Sequence, residues 1–181
     1  MFSKASILER INFYKIANMV FEVNKSKNIA GMLMLKFIKK CLLQGKYAEA
    51  KKMCFSIDQQ TVRDMLMKIA YDTENISVYS FIQYMIKETN SIFWIELAID
   101  VMINPLCFIE GAYSVALFYS REMLSKDKNI KNLERMLFFY NIPEKLVDEG
   151  EAEFIVGEIL KIEPNNQVAL EVRSKIGMFK S

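Results

Sequence analysis

Glu96 and Asp100 stand four residues apart, just after the apolar run Ile92-Phe93-Trp94-Ile95. A helix there puts both carboxylates on one face. Glu110 follows on what reads as the next helix and could approach them. Carboxylates grouped in this way can hold a hard metal ion or divide acid and base roles between them. Helices that carry bridged metals usually supply Glu-x-x-His as well, and this chain has no histidine. That absence also removes His triads, imidazole acid–base pairs and neutral-pH histidine switches. The pair therefore reads foremost as solvated acids on an otherwise apolar helix. Its second reading is the lining of a groove for a basic partner.

Lys36, Lys39, Lys40, Lys46, Lys51 and Lys52 form a basic cluster with Tyr47 and Phe55 nearby. Nucleic-acid binding would want arginine and accessible aromatics as well. Arginine is scarce, so nucleic acid is a disfavoured partner. The acidic run from Asp148 to Glu153 lacks the alternating oxygen ligands of a calcium loop. Acids at a helix start, where they favour the dipole, explain it better. The six glycines are scattered and form no phosphate-cradling loop. No Gly-x-Ser-x-Gly elbow is present. Cys41, Cys54 and Cys107 are odd in number, widely spaced and set in apolar runs. They read as buried thiols, not as a zinc site or a disulfide framework. No cofactor is expected.

The bulk composition agrees with a packed protein. Over 181 residues, 52% are hydrophobic and 25% charged, which excludes disorder. Six Gly and three Pro are too few for the tight turns of an all-β chain. The net charge of +2 is unevenly spread: residues 1–70 carry +8 and residues 71–181 carry −6. One end thus attracts acidic partners and the other basic ones. The start, Met1-Phe2-Ser3-Lys4, has no signal-peptide apolar block. The most hydrophobic stretch, Ile92 to Tyr119, includes Glu96, Asp100, Asn104, Pro105 and Glu110, which makes insertion into a bilayer costly. The expectation is a cytoplasmic chain that does not insert into a membrane.

The elements that would position these residues are helices. Apolar residues recur at three- and four-residue steps nearly throughout, and about ten helices can be placed. The first runs from Ser6 to Val23, with Ser6 and Glu9 as a capping box. The second runs from Asn28 to Leu43 and stops before Gly45. Met34, Ile38 and Cys41 form its apolar stripe, with Leu33 and Phe37 beside it and the lysines opposite. Next come Lys46 to Phe55, Gln59 to Tyr71 capped by Asp58, and Ile76 to Lys87 capped by Asn75. A sixth starts at Ser91 and ends before Asn104. A seventh uses Pro105 as its first residue and reaches Leu124. The last three are Ile130 to Tyr140, Pro143 to Ile162 with a possible break at Gly150, and Asn166 to Gly177. Short connections force neighbours antiparallel. With no linker rich in Pro, Gly or Ser, residues 1–181 read as a single all-α domain.

Two segments add a family resemblance. Gly45-Lys46-Tyr47-Ala48-Glu49-Ala50 is similar to the start of the second helix of a tetratricopeptide repeat. The stretch from Ala152 through Ile159-Leu160-Lys161-Ile162-Glu163-Pro164-Asn165-Asn166 to Ala169-Leu170 resembles that family's repeat junction. Ala50 and Ala152 are 102 residues apart, three periods of 34. Tyr84 and Phe118 stand at the registers between them. The resemblance implies a short, degenerate α-solenoid of antiparallel helix pairs, with an irregular helical bundle as the alternative. It also implies a face, lined by each repeat's first helix, that binds another protein or a peptide. Leu35 and Lys39 fall on that face.

The function expected from these readings is non-enzymatic binding of another protein by shape and charge. Leu35, Lys36, Lys39, Lys40, Glu96 and Asp100 are the candidate contacts. An inhibitor that neutralises a bacterial toxin domain, in the manner of an immunity protein, is one form of this. A peptide-binding adaptor is another. A carboxylate-based metal enzyme using Glu96, Asp100 and Glu110, or a nucleic-acid binder using the lysines, are the rivals. Trp94 reads as core.

Overall fold

The computed structural model describes residues 29–179, all of whose regular structure is helical. The chain divides into two compact units, Met1–Ser56 and Ile57–Ser181. The expected helix from Ser6 to Val23 and the Asn28 cap lie outside the described residues.

In the first unit, α1 spans residues 29–43 and α2 spans Tyr47–Cys54. Gly45 closes α1 with a φ of +68°, the left-handed region where a side chain is disfavoured. The amide of Lys46 donates to the Cys41 carbonyl at 2.8 Å and completes the reversal. Ile38, Cys41 and Leu42 from α1 are buried, as are Ala50 and Cys54 from α2. The expected stripe is half right. Ile38 and Cys41 face inward, whereas Leu33 and Phe37 are exposed and Leu42 takes the inner position.

The second unit is a succession of α3 (Gln59–Thr73), α4 (Ser77–Thr89), α5 (Ile92–Ile103), α6 (Ala112–Lys126), α7 (Ile130–Asn141), α8 (Glu149–Ile162) and α9 (Gln167–Phe179). Each helix packs antiparallel on the one before it. In addition, α3 touches α5 and α7 touches α9, whereas α4, α6 and α8 make no comparable contact with one another. α5 and α7 are joined through side chains, Glu96 with Lys131 and Arg135, so the odd-numbered helices follow one another along one side, and side-chain contacts link the even-numbered helices likewise. Odd helices begin at Gln59, Ile92, Ile130 and Gln167, spacings of 33, 38 and 37 residues. Even helices begin at Ser77, Ala112 and Glu149, spacings of 35 and 37.

Local chemistry sets most of these boundaries. Asp58 accepts from the Thr61 amide at 2.9 Å and Asn129 from the Asn132 amide at 2.9 Å, so each caps its helix. Asn75 accepts from the Ser77 amide at 2.8 Å. Ser91 begins α5 without a side-chain cap. Val78, Ile82 and Met85 of α4 are fully buried, the face their spacing predicts; of the predicted stripe Ile130, Leu133 and Leu137 on α7, the two leucines are buried and Ile130 is half-buried. Trp94 is core, with its ring edge-on to Phe81 at 5.9 Å and to Phe93 at 5.0 Å. Seven of the twelve residues of α5 are buried, so α5 is the hub of this unit.

Two expected helix starts are displaced. Pro105 does not open a helix. Residues 104–111 form successive tight turns, with Cys107 donating to the Asn104 carbonyl and Ile109 to that of Leu106. Gly111 then adopts a φ of +80° and α6 starts at Ala112. Pro143 does not open α8 either. Lys145 takes a φ of +45°, Val147 is buried beneath the turn, and the Asp148 carboxylate accepts from the Glu151 amide at 2.8 Å to start the helix. Gly150 sits in the first turn of α8 and breaks nothing. The acidic run is thus the cap and first turn of a helix, where its charge meets the positive end of the dipole.

Candidate functional site

The row of odd-numbered helices carries a ladder of polar contacts, each joining one helix to the next odd one. Arg63 on α3 pairs with Asp100 on α5 and reaches Glu96 at 3.6 Å. Its guanidinium also lies 5.6 Å from the centre of the Phe93 ring, a cation–π contact. Glu96 in turn accepts from Lys131 on α7 at 2.8 Å and lies 3.7 Å from Arg135. Arg135 is held by the buried Asn132, whose side chain accepts from it at 3.2 Å. Further along, Glu134 accepts from Asn166, just before α9, at 2.7 Å. Asn141 accepts from Lys175 on α9 at 3.0 Å. The direct hydrogen-bonded rungs join residues 32 to 37 positions apart, the length of one helix pair.

Electrostatics fit this geometry. Burial pushes the Glu96 carboxyl upward, but the hydrogen bond from Lys131 and the charges of Lys131, Arg135 and Arg63 outweigh it. The group is held below the ordinary carboxylate range. Two carboxylates thus meet three cations, and the surplus charge on this part of the face is positive. Lys131 is the most accessible of them, with 68% of its side chain exposed.

The even row has its own cross-links. Gln83 on α4 donates to Tyr119 on α6 at 2.7 Å and also binds the Tyr79 hydroxyl. Burial, then the Tyr119 hydroxyl, push the Tyr79 phenol up. Arg121 on α6 pairs with Glu151 on α8 at 2.9 Å. Lys128 pairs with Glu158 at 2.6 Å and lies 5.6 Å from the Phe154 ring centre. Lys128 and Lys161 together hold the Glu158 carboxyl down at about 2.

The candidate contacts fall in two places. Leu35 and Lys39 are half-buried and share one face of α1, while Lys36 and Lys40 are exposed on an adjacent face. All four belong to the first unit. Glu96 and Asp100 belong to the second and do share a face, as their spacing requires. They are already engaged by cations of the same chain, which compete with any basic partner. Glu110 lies on the turn segment before α6, exposed, and not on a helix. Among the described residues no three His, Cys, Asp or Glu side chains gather to hold a metal ion. No described helix is long and apolar enough to cross a membrane.

Arg63, Lys131 and Arg135 were not singled out by sequence reasoning. The signal was present: each lies about one helix pair from Glu96, the spacing that separates alternate helices. Two cavities also escape the sequence. One, of about 440 Å³, lies between α8 and α9. The other, of about 280 Å³, lies at the start of α6 beside Cys107 and Tyr113. Burial, then Cys107, raise the Tyr113 phenol. Set against known proteins, the chain matches no family model, and neither a curated protein nor a solved structure is similar to it.

Proposed function

We propose that α3 to α9 form a short helical-repeat scaffold, similar in plan to the tetratricopeptide family, whose odd-numbered helices present a docking face for another protein. The observation that carries this reading is the ladder. Contacts that recur one helix pair apart hold four odd helices in a fixed order. Such a face is rigid before binding, which lowers the entropy lost on docking. Its accessible charge, led by Lys131, favours a partner with an acidic patch. The lysine edge of α1, with Lys36 and Lys40 exposed, extends the same preference to the first unit. Absence of histidine from the whole chain weighs against imidazole-based catalysis on the same surface.

The test is site-specific photo-crosslinking in the native host. A photoreactive residue at Lys131 should trap one protein, and the same residue at Phe118, exposed on α6, should not. Lys131→Glu should slow association and flatten its salt dependence. If the trapped protein is a toxin domain whose activity the chain suppresses, the scaffold is an inhibitor. Equal trapping from both positions, or none from Lys131, refutes the docking face.

A further inference from the structure

The helix α1 is apolar on both sides. Ile38, Cys41 and Leu42 are buried on its inner face. The opposite face carries Ile29, Met32, Leu33, Phe37 and Leu43, each between 41% and 59% exposed. A helix that is hydrophobic all round is ordinarily covered all round. Here the outer side chains meet solvent along about 21 Å of helix, roughly four turns. Lys36 and Lys40, both exposed, fall within the same stripe, because residues 29, 33, 36, 40 and 43 follow steps of three and four. The stripe has no negative charge of its own: no Asp or Glu stands between Glu22 and Glu49. The first unit as a whole holds eleven Lys or Arg against three Glu, a net charge of +8. The second holds thirteen against nineteen acids, a net charge of −6.

We propose that the outer face of α1 seats the first unit on an anionic lipid surface, with the helix lying flat in the headgroup layer. Charge and side-chain type choose this occupant. The cover must be apolar enough to take five large side chains and negative enough to meet the lysines between them. The centre of a protein–protein interface is depleted of charge, and lysine is scarce there while arginine is enriched. In α1 the lysines sit mid-stripe and no arginine accompanies them. A bilayer interface takes that pattern. The long lysine stems snorkel, so their ammonium groups reach the phosphates while Ile29, Leu33 and Phe37 enter the acyl boundary. Nucleic acid offers the phosphates but no cover for the aliphatic groups. No described helix is long and apolar enough to cross a bilayer, so the contact is peripheral. The +8 of the unit draws it towards anionic headgroups. This surface is separate from the proposed docking face of the second unit, and neither needs the other.

Co-sedimentation of the full chain with vesicles tests the idea. The chain should pellet with vesicles of mixed phosphatidylcholine and phosphatidylglycerol and stay in solution with phosphatidylcholine alone. Added salt should weaken the binding. Leu33→Asp changes an exposed position, so helix content and melting temperature should hold while affinity for the mixed vesicles falls about tenfold or more. Lys36→Ala and Lys40→Ala should each weaken it about fivefold. Lys131→Glu should leave vesicle binding unchanged, which keeps this test apart from that of the docking face. A chain that stays in solution with the mixed vesicles overturns the proposal, and a photo-crosslink from position 37 to another polypeptide would then assign the face to a protein. Equal binding to neutral vesicles, or binding indifferent to Leu33→Asp, overturns it equally.

Discussion

Burial pushes the Cys54 thiol up to about 12, and burial, then Glu49, raise that of Cys41. Only the thiolate reacts with alkylating reagents, so both are protected by protonation as well as by packing. Cys107 is half-buried on the turn before α6. Iodoacetamide followed by peptide mass spectrometry should therefore label Cys107 first, with Cys41 and Cys54 modified only as the chain unfolds. Faster labelling of Cys54 than of Cys107 would contradict the packing. The glycines allow a second expectation at this scale. Gly157 is helical and a Cβ there meets nothing, so Gly157→Ala should stabilise the fold by about 0.5–1 kcal/mol. A lower melting temperature for that variant would mean that an unseen contact fills the space. Single residues were the most legible level in the sequence. Asp58 and Asn75 have side chains short enough to bond a nearby amide, and both do so. Trp94 needed only its apolar neighbours to be read as core.

Among the described residues the helices were legible in number and order but not in where α6 and α8 begin. Apolar periodicity continues through residues 104–111 and 142–147 because Leu106 and Val147 are buried core residues of turns. Periodicity records burial, and a buried turn imitates it. The ladder was legible only by half. Glu96 and Asp100 announce a shared face through local spacing, but Arg63 and Lys131 reach them only once helices are stacked. Removing the acceptor at the centre tests how much the stacking depends on it. Glu96→Gln should cost about 1–2 kcal/mol, since it loses a charged hydrogen bond and leaves Arg135 without its carboxylate. Chemical denaturation measures this, and a change near zero would reduce the ladder to decoration. Acid gives a related outcome. Glu96 and Glu158 titrate below the ordinary 4.5 when folded, Glu158 at about 2. Stability from a depressed carboxyl is fully present above its unfolded value and drains away as pH falls through the folded one. The melting temperature should accordingly be flat near neutrality and drop from about pH 4.5 towards 2. Glu158→Gln should shallow that drop.

At the scale of the molecule, Ala50 and Ala152 stand three periods of 34 apart, but the helix starts between them do not keep that step. The even-numbered helices, α2 included, begin at Tyr47, Ser77, Ala112 and Glu149, so their periods are 30, 35 and 37 residues. Those unequal steps total the 102 residues between Ala50 and Ala152, both buried in the first turn of their helices. A fixed step of 34 lands instead on Tyr84 and Phe118, which are not the equivalent positions. The period varies because the turns vary. The buried segment before α6 and the one before α8 each lengthen a pair, and a turn carries no helical constraint on its length. Most helix contacts of the second unit join neighbours in sequence. Within the second unit, α5 is contacted by α3, α4 and α6, whereas α9 rests on α7 and α8. Amide hydrogen exchange should therefore be slower in α5 than in α9. Exchange in α9 as slow as in α5 would contradict this order of packing.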